Sequence, residues 1–266
     1  MKLAGATLLI TGAGNGMGRE LVIGAIAAGA KVVAVDLDKK ALATTKQLAN
    51  ADSKSYYPLA LDITDTRKVA VLPKKIAKQF YPVDILINNA GIIQPFARIN
   101  DLEQKAITKV MAVNFTAPLN LIKAFLPTFI ARKKGHIVNT SSMGAYTPVP
   151  GQSLYGASKA ALSALTAGLF SELVDTNVKV TTVFPGAIAT NIAKNSGIDL
   201  KGMDAGSSKI KMTTPQKAAQ IILAGIEKDK PRVFIGQDAK VMNLLTRLNP
   251  QYAARLIQRQ MKDLLK

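Results

Sequence analysis

Residues 155 to 159 read YGASK, with Tyr155 and Lys159 four positions apart in a run of small residues. On a helix that spacing puts both side chains on one face, one turn apart. A phenol within hydrogen-bond reach of a carbinol oxygen can take or return its proton. Its ordinary pKa of about 10 is too high for a good base at neutral pH. A cation at ~4 Å in an effective dielectric near 20 favours the phenolate by roughly 4 kcal/mol, about three pKa units as an upper figure. Lys159 is spaced to be that cation. Upstream, the stretch NTSS at 139–142 offers Ser141 and Ser142 as hydroxyls that could steady a substrate oxygen. Taken alone, the pair also reads as an ordinary tyrosine beside a surface lysine.

The elements that must position such groups follow from the hydrophobic pattern. Apolar, β-branched runs recur at Ala6–Thr11, Lys31–Asp36, Tyr56–Asp62, Asp84–Asn88, His136–Thr140, Val178–Phe184 and Arg232–Ile235. Helix-forming segments lie between most of them: Arg19–Ala28, Lys39–Asn50, Arg67–Phe80 and Ser153–Val174. Thr214 and Pro215 form a cap and first-turn proline before QKAAQIILAGIEK. Alternating strands and helices predict an α/β fold: a doubly wound, mostly parallel seven-stranded sheet covered on both faces. In such a sheet, ligands bind at the carboxyl ends of the strands, where strand order reverses.

The residues that follow the strands fit a dinucleotide. The first strand runs into TGAGNGMG, with glycines at 12, 14, 16 and 18. They permit a tight turn and close approach to a pyrophosphate at the start of the next helix. Asn15 and Met17 lie in the same turn. Asp36 ends the second strand, 24 residues beyond Gly12, where a carboxylate accepts both hydroxyls of an adenosine ribose. It would repel a 2′-phosphate by about 1 to 4 kcal/mol at ~4 Å. No Arg or Lys directly follows Asp36, so NAD is expected over NADP, with Lys39 and Lys40 the nearest cations in sequence. Leu37 follows that acid, Asp62 and Ile63 end the third strand, and Asn88-Asn89-Ala90-Gly91 ends the fourth.

Together these residues resemble the short-chain dehydrogenases/reductases. The resemblance covers about residues 4–236 and rests on Thr11-Gly12-x-x-x-Gly16-x-Gly18, Asp62, Asn88-Asn89-Ala90-Gly91, Asn114, Ser142, Tyr155-x-x-x-Lys159 and Pro185-Gly186, with Thr190 following. It implies an NAD(P)-dependent oxidoreductase on a Rossmann sheet, assembled as a homodimer or homotetramer. It further implies Tyr155 as proton donor or acceptor and Asn114 as a member of the proton relay. It selects Ser142, which stands 13 residues before the tyrosine, over Ser141. Lys159 would also hold the nicotinamide ribose. Gly12, Asn15, Gly16, Met17, Gly18, Asp36, Leu37, Asp62, Ile63, Asn89, Ala90 and Gly91 would hold the rest of the cofactor. Pro185, Gly186, Ile188 and Thr190 would face its carboxamide. The segment Asn191–Lys211 is implied to be a mobile lid.

Composition narrows the partners. The chain has no cysteine and one histidine, which excludes thiolate and multi-histidine metal sites. The net charge of +18 favours polyanions, yet no recognition motif or aromatic-rich basic patch points to nucleic acid. No uncharged apolar run reaches the length of a membrane span, and a cytoplasmic protein is expected. Apolar Ile92, Ile93, Phe96, Ile192, Ile198 and Met203 flank the expected site, with Arg98 the one arginine there, so a hydrophobic or lipid-like alcohol or ketone is expected. Residues 1–236 are read as the catalytic domain and 237–266 as its helical extension. Within the extension Asn249 and Pro250 start a helix with an apolar stripe of Ala253, Leu256, Ile257, Met261, Leu264 and Leu265. Its basic ridge of Arg255, Arg259, Lys262 and Lys266 is the pattern of peripheral contact with an anionic membrane through 250–266; packing on the body or on a second subunit is the commoner use of such a helix.

Overall fold

The computed structural model describes residues 1–190, 192–196 and 212–261. Its strands are β1 (Thr7–Thr11), β2 (Lys31–Asp36), β3 (Tyr56–Ala60), β4 (Ile85–Asn88), β5 (Gly135–Thr140), β6 (Val178–Pro185) and β7 (Arg232–Ile235). They form one seven-stranded sheet in the order β3-β2-β1-β4-β5-β6-β7. Every pairing is parallel, so the expectation of a mostly parallel sheet is met in full. Order reverses between β1 and β4, which opens a crevice at their carboxyl ends.

The helices are α1 (Gly16–Ala27), α2 (Lys39–Leu48), α3 (Thr66–Gln79), α4 (Gln104–Met111), α5 (Ala117–Ala131), α6 (Ser153–Glu172), α7 (Ile192–Asn195), α8 (Pro215–Glu227), α9 (Gln237–Leu248) and α10 (Pro250–Met261). Two apolar layers sandwich the sheet. Leu21 and Val22 of α1, Leu42 of α2 and Ile222 of α8 pack on one face. Leu72 of α3, Phe125 of α5 and Leu169 of α6 pack on the other.

Helix entry follows the residues that cap it. The Asp38 carboxylate accepts from the N–H groups of Lys40 and Ala41, Asp65 from Lys68, and Thr214 from Lys217. α4 and α5 were not foreseen as helices. Pro118 and Pro127 break the sequence pattern, but Pro118 lies in the first turn of α5 and the tertiary contacts of Leu121, Phe125 and Phe129 sustain the rest. Gln104–Ala131 is apolar and long enough to cross a membrane by length and composition; in this fold α5 instead covers the sheet. The extension forms α9 and α10, and Asn249 accepts from the Tyr252 N–H as its spacing predicts. From the α10 stripe, Ala253 and Ile257 are buried against Met242, Met143 and Tyr146, so those two face the body. The side chain of Met261 and residues Lys262, Leu264, Leu265 and Lys266 lie outside the described residues, as do Ile198 and Met203.

His136, the single histidine, is buried in β5 with Nε2 on the Thr181 hydroxyl at 2.8 Å. Burial lowers its pKa to about 4, and Asp229 offsets part of that shift. An unfolded histidine titrates near 6.5, so between about pH 6.5 and 4 the unfolded chain binds the proton first and the fold loses stability as pH falls. The expected loss is about 3 kcal/mol by pH 4. Urea unfolding of the wild type and His136→Asn at several pH values should show this component in the wild type alone.

Candidate active site

The crevice between β1 and β4 is built on one threonine. Thr11 Oγ1 accepts from the backbone N–H groups of Asn89 and Ala90, each at 3.0 Å, and Asn89 Nδ2 donates back to the Thr11 carbonyl. One position earlier, Asn88 Nδ2 donates to Asn139 Oδ1 of β5 at 2.8 Å, and Asn139 donates onward to Thr166 of α6. The asparagine pair thus ties β4 to its neighbours on both sides.

The glycine turn closes over this crevice. Gly16 has a φ of +50°, and a Cβ on Gly18 would lie 1.9 Å from the Gly12 carbonyl oxygen, so that position admits no side chain. A cavity of about 470 Å³ lies beside the turn. Gly12 and Asn15 line it from the turn, Gly16, Met17 and Gly18 from the start of α1, and Asp36, Leu37, Asp62 and Ile63 from the ends of β2 and β3 and just beyond. Asn89, Ala90, Gly91 and Thr190 complete the wall. Asp36 accepts from the N–H groups of Gly14 and Asp38 at 2.8 and 3.1 Å. Asn89 Oδ1 is buried without a partner, and this glycine-lined cradle beside a helix N-terminus fits a dinucleotide.

A second cavity, of about 1470 Å³, holds the other half of the expected site. Ser142 and Tyr155 share its wall with Ile93, Phe96 and Met143, and Gly186 lies opposite from the loop after β6. Ser141 points away, its hydroxyl donating to the Lys159 carbonyl at 2.8 Å, so Ser142 is the serine left to the cavity. Desolvation raises the Tyr155 phenol above its ordinary pKa, and the Ser142 hydroxyl pulls it partly back. Lys159 is buried, with Nζ on the Thr140 carbonyl at 2.9 Å, and burial lowers its pKa to about 8. The phenol is raised and not depressed as spacing to Lys159 led one to expect: in a dry wall, loss of hydration disfavours the charged form of each group.

Asn114 sits in a π-helical turn, Ala112–Thr116, between α4 and α5. Its amide clasps the Ile92 backbone, accepting from the N–H and donating to the carbonyl at 2.9 Å each, and also reaches Ser158 Oγ at 3.0 Å. A Cβ on Gly91 would stand 3.1 Å from Lys159 Nζ and 3.4 Å from Asn114 Oδ1, which brings these groups to one spot. Pro185 ends β6, and Ile188 bridges to Thr213, which holds the 185–190 loop in place.

Sequence reading missed Gln94. It is fully buried, and its Oε1 accepts from the N–H groups of Leu154 and Tyr155 at 2.7 and 3.0 Å. Its Nε2 donates to the Gly151 carbonyl, and Gln152 Nε2 donates to the Gln94 carbonyl. A residue sixty positions away therefore caps the helix that carries Tyr155. Asp238 was also missed. Its carboxylate accepts from the Ala187 N–H at 2.6 Å and fills the space a Cβ on Gly186 would need. Nothing in local spacing links either residue to its partner.

A doubly wound sheet with a dinucleotide cradle at its switch point and a Ser-Tyr-Lys wall defines a nicotinamide-dependent oxidoreductase. The family model for short chain dehydrogenases matches residues 6–201. The chain is 34% identical to the protein SadH of Mycobacterium tuberculosis, across 95% of this chain and 94% of that one. It is 39% identical to dehydrogenase/reductase SDR family member 7B of Rattus norvegicus over 73% of this chain and 61% of the relative. Among solved structures, a short-chain dehydrogenase from Burkholderia cenocepacia in complex with NADP superposes with a TM-score of 0.79 at 27% identity, covering 97% and 99% of the two chains. One from Burkholderia phymatum in complex with NAD has a TM-score of 0.83 at 22% identity, over 94% and 95%, and shares the fold. The chain belongs to the short-chain dehydrogenase/reductase family of NAD(P)-dependent oxidoreductases.

Replacing Gln94 by Leu strands two N–H groups at the start of α6. The expected loss in unfolding free energy is about 2 kcal/mol by urea titration, with Gln94→Glu losing less because an acceptor remains.

Proposed function

We propose that this enzyme interconverts a secondary alcohol and a ketone on an apolar, lipid-like molecule, with NAD as cofactor and Tyr155 as the proton donor or acceptor. The observation that carries the reading is the shared wall of the larger cavity, where Tyr155 and Ser142 meet apolar Ile93, Phe96 and Met143. When bound, the nicotinamide supplies or accepts the hydride. Tyr155, with its pKa raised, is protonated at neutral pH and suited to hand a proton to a carbonyl oxygen. Ser142 donates to that same oxygen and steadies its developing charge. Lys159 and Asn114 stand behind the tyrosine on α6 and the π turn, where they relay the proton and hold the cofactor ribose. Gly186, Ile188 and Thr190, after Pro185, present the loop that meets the carboxamide.

The carboxylates support NAD over NADP. Asp36, Asp38 and Asp62 line the smaller cavity where a 2′-phosphate would have to sit. Arg19 is the opposing observation: its guanidinium reaches the Gly14 carbonyl at 2.5 Å and Thr45 Oγ1 at 3.2 Å. Those bonds spend it on the turn, and an NADPH preference would require it to leave them. A homodimer or homotetramer is supported by the exposed apolar side chains of Ile130 on α5 and of Phe170 and Val174 on and beside α6.

Tyr155→Phe should reduce turnover to background on any responsive alcohol or ketone while NADH binding, read by cofactor fluorescence, stays within about twofold. Retained turnover removes the role given to Tyr155. Titration with both cofactors should give tighter NADH than NADPH binding; the reverse order overturns the reading of Asp36.

A further inference from the structure

The first half of α9 lines the larger cavity, and the helix has one face buried and the other bare. Ala239 and Met242 turn inward. Val241, Leu244 and Leu248 fall on the outer side at i, i+3 and i+7, and they are 52%, 58% and 75% exposed. Tyr252, at the elbow into α10, adds a ring that is 54% exposed. Lys240 and Arg247 form the neighbouring ridge of α9, and Arg255 and Arg259 are the basic residues of the described part of α10. The one acid in Gln237–Met261 is Asp238, and its carboxylate is occupied by the Ala187 N–H.

We propose that this α9 face, with Tyr252, docks on an anionic lipid surface. Apolar side chains bordered by cations and free of outward acid suit the boundary between headgroups and acyl chains. A second copy of the chain is disfavoured as the occupant, because self-pairing sets the same four cations against each other without an acid between them. Neutral partners leave the cations unused. The contact lies on α9 and not on the α10 stripe, where Ala253 and Ile257 are already covered. Lys240 and Val241 also line the cavity that Tyr155 lines, so the docked face adjoins that cavity. This docking stands whether or not the hydride-transfer reading holds, since its test uses neither substrate nor turnover.

The chain has no tryptophan, so Leu248→Trp installs a single reporter at an exposed position that folding does not depend on. Val71→Trp, on the exposed side of α3, serves as the control. Vesicles of phosphatidylcholine containing phosphatidylglycerol should blue-shift the emission at 248 and expose it to acyl-chain quenchers, while pure phosphatidylcholine and the control reporter give no shift. Val241→Ser with Leu244→Ser should weaken co-sedimentation with the anionic vesicles about tenfold. Absence of a shift at 248 overturns the proposal. So does an equal shift at 71, which means adsorption by overall charge, or unchanged binding by the double serine variant. A shift that follows protein concentration without vesicles assigns the face to a second copy instead.

Discussion

A single hydroxyl closes the two halves of the sheet around the ligand crevice. Thr11 Oγ1 takes the N–H groups of two successive residues after β4, just where the strand order reverses and no helix crossover joins the neighbours. Without an acceptor there, two backbone donors would be buried without partners at the base of the cradle. Asn88 and Asn139 continue the connection into β5 and, through Thr166, into α6. The glycine cradle and the helix that bears Tyr155 are therefore parts of one hydrogen-bonded unit, joined through buried side chains.

Burial governs the chemistry of that unit. Tyr155 and Lys159 both move toward their neutral forms for the same reason, the loss of water around them. The protein holds the lysine by a backbone carbonyl and not by a carboxylate. An acid at that place would fix the ammonium in its charged form and remove its freedom to answer charge elsewhere in the site. The result is a pair whose protonation answers to the loss of water around it.

Much of this was legible in the sequence because the governing patterns are local. β-branched runs gave the strands, and β2 and β7 match their expected limits. The glycine turn, Asp36 and Asn89 stand where their spacing after each strand implied. The 13-residue interval chose Ser142, and the inward bond of Ser141 gives a physical reason for that choice. Helix α5 was missed since Pro118 and Pro127 dominate any local reading, while the packing of Phe125 and Phe129 comes from residues far along the chain. Gln94 and Asp238 were missed for a related reason. Each acts on a backbone group many residues distant, and a lone Gln or Asp in a polar stretch carries no sign of its partner. The effect expected of Lys159 on the phenol was an argument from distance alone; it left out the desolvation that only a packed wall reveals.

Asp238 has a consequence for how motion passes through the fold. Its carboxylate belongs to the first turn of α9, yet it is bonded to the loop that follows β6 and packs where Gly186 lacks a side chain. Tyr146 adds a tether a residue further on, through its hydroxyl to the Ala239 carbonyl. The start of α9 is thus bolted to both the loop after β6 and the turn after Ser142. Mechanically it is a strut: two hydrogen bonds couple the first turn of the outer helix to both loops, so a shift of either loop strains its bond to the helix.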